Sequence, residues 1–335
     1  MRQGHENEQG TVLLTTLLIM AVMATVSIAI IDDIRFGVKR IINVGDYAQV
    51  DWYLKGGEDF TRSYIQDTLG PLSDEDKNIA LAGPQDFAFP FDGGAMSLLV
   101  RDGSHCFALG SLITLEGQAD DVGARQFQAL LTALGWPENP ERTSDVLTDW
   151  IDSDQQRRSN GAEDGSYLGR SPAHRTANIP LHSSMEVRSL DGMSEELYQA
   201  LRPYICARKG GERTQFNIET ARETDALVLA AILGGAEFVE TALSLISQRP
   251  SLGYQDIAAV NQALEDLGFE GNEFAQDQIV FTPQTLWVEV QVQYKNAARQ
   301  AAFEFDLLDN AGPNLTYRGW GTESFRPLLT EDEPI

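Results

Sequence analysis

The protein has 335 residues, 42% of them hydrophobic, so the chain can bury one large core or two ordinary ones and is not of the disordered class. Lys and Arg total 25 against 50 for Asp and Glu, and the formal net charge of −25 argues against nucleic acid as a partner, because most of the surface would repel phosphate. The two cysteines, Cys106 and Cys206, are too few for a structural zinc site and enough for one disulfide.

An uncharged apolar stretch from Thr11 to Ile31 has about the length needed to cross a hydrocarbon core as a helix. A cleaved secretory signal usually has its cleavage site after the apolar region, whereas the obvious processing residue here, Gly10, comes before it. Cleavage at Gly10 would therefore leave the helix attached to the protein. An ordinary signal-anchor helix without processing is the alternative.

The helix is predicted to continue beyond the acidic pair Asp32 and Asp33 with one packed face. Small and apolar residues recur there at helical spacing: Ile34, Val38, Ile41, Gly45 and Ala48. Chain breakers follow at Gly70-Pro71 and Gly83-Pro84, with the acidic run SDEDK between them. These breakers predict the end of the long helix near residue 70 and a surface connection after it.

Strands are predicted on both sides of a long helical region. Ala95–Arg101 and Cys106–Leu115 flank Asp102-Gly103, a hairpin signal. Leu286–Tyr294 and Arg299–Leu307 have alternating or nearly alternating polarity. The segments between them that show helical periodicity are Ala124–Leu134, Ser194–Tyr204, Thr224–Leu233 and Ala236–Gln248. The sequence therefore predicts an α-helical domain inserted into an antiparallel sheet.

The polar leader that ends at Gly10, followed directly by a hydrophobic helix, resembles the signal of type IV pilins and pseudopilins. This resemblance implies that prepilin peptidase cleaves after Gly10, and that Thr11 becomes the methylated first residue. The fifth mature residue is then Thr15, where most of these proteins have Glu and where GspK-type subunits lack it. One departure is the leader itself, which is acidic where family leaders are basic.

The insertion resembles the GspK family, the large minor pseudopilins of type II secretion systems. Four segments carry the resemblance: LTDWIDSDQQRRSNGAEDGSYL from Leu147, RTANIPL from Arg175, GMSEELYQALRPYIC from Gly192 and TQFNIETA from Thr214. It implies an α+β fold in which a pilin-like long N-terminal helix packs on an antiparallel sheet, with a large α-helical domain inserted between strands.

The expected divisions are a leader (1–10), a transmembrane part (11–31) and a periplasmic part (32–70) of the helix, the first part of the pilin-like domain (71–118), the inserted domain (119–285) and C-terminal strands (286–335). The resemblance implies a non-enzymatic subunit at the tip of the pseudopilus. It would be a single-pass inner-membrane protein with most of its chain in the periplasm, and its partners would be GspI-like and GspJ-like minor pseudopilins and secreted substrates.

Carboxylates crowd the segment from Asp149 to Asp164, which suits a hard cation such as calcium that takes six to eight oxygen ligands. They are Asp149, Asp152, Asp154, Glu163 and Asp164. Counted from Asp152 as the first position, Asp154 is third and Glu163 twelfth, which imitates an EF-hand register. Arg157 takes the position that is glycine in an EF-hand, so the loop is not one. The family resemblance also implies calcium in this region, and a solvated acidic loop is the alternative.

The resemblance bears on the cysteines as well, since GspK relatives often have cysteines at comparable places. A disulfide between Cys106 and Cys206 is expected if both face an oxidising periplasm. Two buried free thiols are the alternative.

Two other classes of function remain to be compared with the pseudopilin. Segments starting at Gly192, Phe216 and Ser251 also resemble helix-hairpin-helix units, which in other proteins bind DNA, but the third contains three acids and no Lys or Arg. A membrane-tethered DNA-uptake protein is therefore the main alternative. A signal-anchored enzyme is not favoured, because Ser104-His105 lacks a nucleophile elbow and the glycine pairs lack the context of a phosphate loop.

Overall fold

The structure is a computed structural model that describes residues 5–136, 139–269, 276–308 and 312–329, with side chains from residue 11 onward. The first four residues of the predicted leader and the last six of the predicted C-terminal region lie outside the described residues. Helix α1 runs from His5 to Ser63, and a π-helical turn extends it from Tyr64 to Leu69. The helix therefore ends at Gly70-Pro71, as the sequence predicts.

The side chains in the first half of α1 do not pack against the rest of the described chain. This half of the helix holds, among the described residues, one span long and apolar enough to cross a membrane, and that span is exposed in the isolated chain. Packing on the rest of the protein begins only at Asp46, with Val50 and Leu54 fully buried. The predicted packed face from Ile34 to Ala48 is wrong within this chain, since Ile34 and Ile41 are exposed. At 1.5 Å per residue, this part of the helix extends beyond the reach of the sheet.

The second half of α1 packs on a five-stranded antiparallel sheet, so the predicted α+β class is confirmed. The strands are β1 (Gln85–Phe91), β2 (Gly94–Asp102), β7 (Thr285–Tyr294), β8 (Ala297–Asp306) and β9 (Asn314–Trp320), in that spatial order. Alternate residues of β7, such as Val288 and Val290, face the helix and form its core. Gly57 lets the helix approach closely, because a Cβ there would lie 3.1 Å from Cγ1 of Val290.

The predicted hairpin at Asp102-Gly103 is wrong. The partner of β2 in the hairpin is β1, through a turn at Asp92-Gly93 in which Gly93 has φ +84°. After Asp102 the chain leaves the sheet: β3 is only Phe107–Ala108, and a 3₁₀ helix covers Leu109–Leu112. The Asp102 carboxylate accepts a hydrogen bond from the backbone N–H of Ser104, a local turn that ends the strand.

The helical domain is inserted between β2 and β7, which are neighbours in the sheet and pair from Gly94↔Tyr294 to Asp102↔Leu286. Its helices are α3 (Asp121–Ala133), α4 (Pro140–Ile151), α5 (Asp164–Tyr167), α6 (Glu195–Leu201), α7 (Ala226–Ile232), α8 (Val239–Ser247) and α9 (Ile257–Asp266). The four predicted helical segments correspond to α3, α6, α7 and α8. The core of this domain includes Phe107 and Leu112, so the insertion begins before residue 119.

Short elements complete the fold. The acidic connection after α1 contains helix α2 (Asp74–Ala80), whose N-cap Ser73 accepts a hydrogen bond from the N–H of Asp76. Two parallel pairs hold the insertion together: β3 with β4 (Ile205–Cys206) and β5 (Phe216–Asn217) with β6 (Ile279–Val280). A partly buried ion pair between Arg208 and Glu304, 3.0 Å apart, joins the two domains.

Candidate functional site

The acidic loop lies between α4 and α5. Asn139 caps the start of α4 by accepting hydrogen bonds from the N–H groups of Glu141 and Arg142, and Asp152 is the residue that follows its end. Helix α5 is a single turn that starts at Asp164. A helix of one turn is too short to be the second helix of an EF-hand, which agrees with the departure seen in the sequence.

Three of the predicted carboxylates come together. Asp152, Asp154 and Glu163 each offer one oxygen, and these oxygens lie within 4.8 Å of one another. They occupy the first, third and twelfth positions of the register counted in the sequence. Oδ1 of Asp152 and Oε1 of Glu163 are buried and have no hydrogen-bond donor among the described residues. Buried carboxylate oxygens without donors are costly, so this arrangement fits a bound cation.

The raised pKa values of Asp152 and Glu163 also fit a bound cation. Burial, together with the nearby carboxylates of Asp154 and Asp149, raises the pKa of Asp152 to about 7. Burial and the carboxylates of Asp149 and Asp152 raise the pKa of Glu163 to about 7 as well. Carboxylates that repel one another in this way gain most from a divalent cation placed between them.

The other two predicted carboxylates face protein groups. Asp149 is fully buried, and its oxygens accept hydrogen bonds from the N–H of Arg158 at 3.1 and 3.2 Å. Burial raises its pKa to about 6, although the hydrogen bond from Arg158 opposes that rise. Asp164 pairs with Arg175 at 2.8 Å and accepts two hydrogen bonds from Thr176. These two residues therefore shape the loop around the group of three.

Two residues that the sequence reasoning did not single out hold this loop. Arg158 bonds Asp145 at 2.8 Å and pairs with Asp121, which joins the loop to α4 and α3. Gly161 lies against Asp149, where a Cβ would come within 1.9 Å of Oδ2. Only the glycine in the run NGAED hinted at this close approach.

The two cysteines form a disulfide in the structure, with their Cα atoms 5.7 Å apart. Both are buried, and Cys106 precedes β3 while Cys206 ends β4. The bridge therefore joins the entry of the insertion to its middle, a sequence separation of 100 residues.

At the N-terminus, α1 passes through the predicted cleavage position between Gly10 and Thr11. The hydroxyl of Thr15 donates a hydrogen bond to the carbonyl oxygen of Val12 at 2.9 Å. The hydroxyl of Thr15, the predicted fifth mature residue, is therefore satisfied within its own helix and does not require a charged partner.

Each of the helix-hairpin-helix-like segments contributes side chains to the core of the insertion. All residues of α7 are buried, and α8 and α9 add Leu245, Val260 and Leu264 to the same core. A helix enclosed on all sides cannot present a surface to a DNA backbone.

Comparison with known proteins gives one family. The family model described as "Type II secretion system (T2SS), protein K" matches residues 105–210, a range that contains the acidic loop and both cysteines. The chain is 31% identical to type II secretion system protein K of Klebsiella pneumoniae over 76% of this chain and 79% of that protein. It is 30% identical to the protein of the same name from Aeromonas hydrophila, over 78% of this chain and 81% of that protein.

The fold is also that of a chain in the crystal structure of the GspK-GspI-GspJ complex from the type 2 secretion system of enterotoxigenic Escherichia coli. The two share a TM-score of 0.67 and 23% identity, over 84% of this chain and 99% of that chain. At this identity the likeness concerns the fold alone.

Proposed function

The chain belongs to the type II secretion system protein K family, the large minor pseudopilins, and from this membership we propose that it forms the tip of the pseudopilus. The insertion between β2 and β7 is the observation that carries the proposal. Pilin-like shafts pack their subunits closely around the N-terminal helices, and an added domain of this size would clash with a subunit above it. A position at the tip removes that clash.

The N-terminal helix supports the same position. In the shaft, an acid at the fifth mature residue would pair with a neighbouring N-terminal amine, whereas Thr15 bonds to its own helix. A buried acid without a partner is costly, so a subunit with no neighbour above it does better without one. The partners of this tip subunit are GspI-like and GspJ-like minor pseudopilins. GspI and GspJ accompany GspK in the complex that contains the chain of similar fold.

The experiment is to label this chain in intact pseudopili and to locate the label by electron microscopy. Signal confined to one end of each filament is the expected result. Signal distributed along the filament would contradict the tip position. In parallel, the full-length chain in membranes should co-purify with the GspI-like and GspJ-like proteins of the same cells at fixed stoichiometry.

Helix α1 anchors the protein in the membrane. The span that begins at Thr11 crosses the inner membrane once and leaves the two domains in the periplasm. Prepilin peptidase removes residues 1–10 and methylates Thr11. Intact mass of the membrane form tests this step: a mature chain starting at Thr11 is expected, and retention of Met1 in membranes with active peptidase would contradict it.

The acidic loop binds calcium. Asp152, Asp154 and Glu163 hold the ion, and its role is structural, because it neutralises carboxylates that otherwise repel one another. Calcium should raise the melting temperature of the full-length protein in detergent through preferential binding to the folded state. Identical melting curves in calcium and in chelator, at matched ionic strength, would contradict the site.

The role is assembly, not catalysis, and the DNA-uptake alternative is not favoured. The buried position of α7 and the lack of Lys and Arg in the segment from Ser251 to Gly268 give DNA little to bind. The chain should not be retained on DNA even at low salt, whereas phosphate contacts would give retention at low salt that falls steeply as the salt concentration rises.

A further inference from the structure

The loop between α4 and α5 contains Asn160-Gly161, the only Asn-Gly pair in the sequence. Asparagine is a chemically labile residue, and a following glycine makes it more so in an unstructured chain. Glycine has no Cβ, so its backbone nitrogen can approach the asparagine side chain without hindrance. Every other asparagine is followed by a residue with a side chain. The sequence therefore marks one position in this chain for deamidation.

The folded loop protects both reacting groups. The backbone nitrogen of Gly161, which would be the nucleophile, is buried and donates to the carbonyl oxygen of Arg158 at 3.1 Å. The side chain of Asn160, whose Cγ would be attacked, donates through Nδ2 to Oδ2 of Asp145 at 3.3 Å. The backbone N–H of Asn160 donates to the same oxygen at 3.1 Å. These hydrogen bonds hold the nucleophile and its target in place, so the reaction requires the loop to open.

The same loop contains the clustered carboxylates of Asp152, Asp154 and Glu163. Oδ1 of Asp152 and Oε1 of Glu163 are buried without a hydrogen-bond donor among the described residues. Charges held this close repel one another, which favours the open loop unless a cation lies between them. Gly161 lies between Asp154 and Glu163 in the chain, so separation of these carboxylates frees its backbone nitrogen.

We infer that Asn160 is a deamidation site which the closed loop protects, that loss of the cation exposes it, and that its deamidation removes the cation site. This inference rests on the calcium site proposed above. In the open loop the nitrogen of Gly161 attacks Cγ of Asn160 and forms a succinimide ring, and its proton leaves with the side-chain NH₂ group as ammonia. Water then opens the ring at either carbonyl carbon, which gives aspartate or isoaspartate.

Neither product fits the closed loop. Aspartate replaces the amide donor of Asn160 by a carboxylate beside the buried carboxylate of Asp145, so an attraction becomes a repulsion. Isoaspartate also lengthens the backbone by one carbon just before Gly161, where an added Cβ would already lie 1.9 Å from Oδ2 of Asp149. Deamidation therefore prevents the loop from closing again, and a brief loss of the cation becomes a permanent loss of its site.

Mass spectrometry of the full-length protein in detergent tests the inference. The protein is incubated in calcium or in chelator, at the same pH and ionic strength, and then digested with trypsin, which releases Ser159–Arg170 with Asn160 inside. The mass increase of an amide-to-acid exchange should accumulate several-fold faster in chelator. Peptide Thr176–Arg188, in which Asn178 precedes the branched Ile179, is the internal control and should stay unmodified. Equal rates in calcium and in chelator would overturn the inference.

The unfolded chain and the melting temperature distinguish this failure from failure of the calcium site. In urea, Asn160 should deamidate at one rate with and without calcium, because no loop remains to protect it, and absence of the reaction there would also overturn the inference. Calcium that raises the melting temperature without slowing deamidation would leave the calcium site standing and overturn its protection of Asn160. Identical melting curves together with equal deamidation rates would contradict both.

Asn160→Asp introduces the aspartate product directly. This variant should lose most of the rise in melting temperature caused by calcium, and it should melt below the parent in chelator as well, because repulsion from Asp145 needs no ion. Asn296→Asp, in the exposed turn between β7 and β8, is the matched control with the same change of charge and should keep the full calcium response. A full calcium response in the Asn160 variant would show that the loop tolerates the product and would overturn the loss of the site.

Discussion

Gly57 of α1 lies so close to Val290 of β7 that a Cβ on the glycine would be 3.1 Å from Cγ1 of the valine. The same Cβ would lie 3.3 Å from the sulfur of Met96 in β2. This glycine therefore sets the distance between the long helix and the sheet. The preceding residue, Gly56, has no atom within 4 Å of the corresponding position.

The first prediction uses this pair of glycines. Gly57→Leu should lower the free energy of unfolding by about 1–3 kcal/mol, because the larger side chain forces the helix away from the sheet. Gly56→Leu should be neutral or stabilising by up to about 1 kcal/mol, since leucine favours the helix and meets nothing there. Denaturant unfolding of both full-length variants in detergent measures the difference, and equal effects would show that the helix does not approach the sheet at Gly57.

Gly161 gives the second prediction. Gly161→Ala places a methyl group where Oδ2 of Asp149 lies, so it should displace the loop and weaken calcium binding at least tenfold. Gly165→Ala is the control, because no atom lies within 4 Å of its Cβ position in α5. Calcium titration followed by melting temperature compares the two variants. An unchanged calcium response in Gly161→Ala would contradict the geometry of the loop.

The third prediction separates ligands from supporting residues. Asp152→Asn and Glu163→Gln should each remove most of the rise in melting temperature caused by calcium, because each takes one charge from the group of three. In chelator these variants should be no less stable than the parent, since the exchange to an amide relieves repulsion. Asp164→Asn should keep a calcium response, because its carboxylate faces Arg175; a loss equal to that of Asp152→Asn would make Asp164 a ligand.

Glu58 gives a prediction about pH. Burial raises its pKa, but hydrogen bonds from Lys55, Arg318 and Arg62 outweigh burial and hold the pKa below its ordinary value of 4.5. A carboxylate with a depressed pKa stabilises the fold above the ordinary value and loses that contribution as pH falls through its folded-state pKa.

Glu58→Gln should therefore lower the free energy of unfolding at pH 7 by about 1–3 kcal/mol. The difference from the parent should shrink below pH 4.5. Glu75→Gln, on the exposed face of α2, should have no such pH profile. A difference that stayed constant down to the acid transition would show that the charge of Glu58 does not matter.

The disulfide gives the last prediction. Chain isolated from membranes and denatured without reductant should contain no thiol that maleimide can label, because Cys106 and Cys206 are bonded to each other. Replacing both by Ala should cost about 2–4 kcal/mol, since the bridge closes a long loop in the unfolded chain. Two labelled thiols in the untreated chain would refute the bridge.

The unpredicted strands of the five-stranded sheet lie at its edges. β1 contains Pro90, which lowers the strand signal but is tolerated where one side of the strand has no partner. β9 reads NLTYRGW, whose first five residues alternate polar and apolar side chains, so its strand signal was present in the sequence and was missed. The central strands β7 and β8 were predictable because alternate side chains are buried against α1.

The wrong hairpin has a similar cause. Asp92-Gly93 and Asp102-Gly103 are the same turn signal, and the sequence alone does not say which one is followed by a returning strand. The decision depends on distant residues: Asp102 bonds Asn217 and Thr220, and Cys106 bonds Cys206. Contacts of this kind cannot be inferred from local periodicity.

The acidic loop was predicted in part. Counting positions identified Asp152, Asp154 and Glu163, since spacing within one loop is local information. The pairing of Asp164 with Arg175 was not predictable, because it depends on how the chain returns after α5. The exposed stripe from Ile34 was misassigned because an apolar helical face indicates burial without saying whether the partner belongs to the same chain.

The order of synthesis determines when β2 can pair with β7. A ribosome finishes β2 and then the whole inserted domain before it begins β7, so the central ladder of the sheet cannot form until that domain has emerged. Closing so long a loop in an unordered chain is slow and entropically costly. If the insertion folds first, its own structure brings Asp102 and Leu286 together, and the larger domain then serves as the template on which the smaller sheet closes.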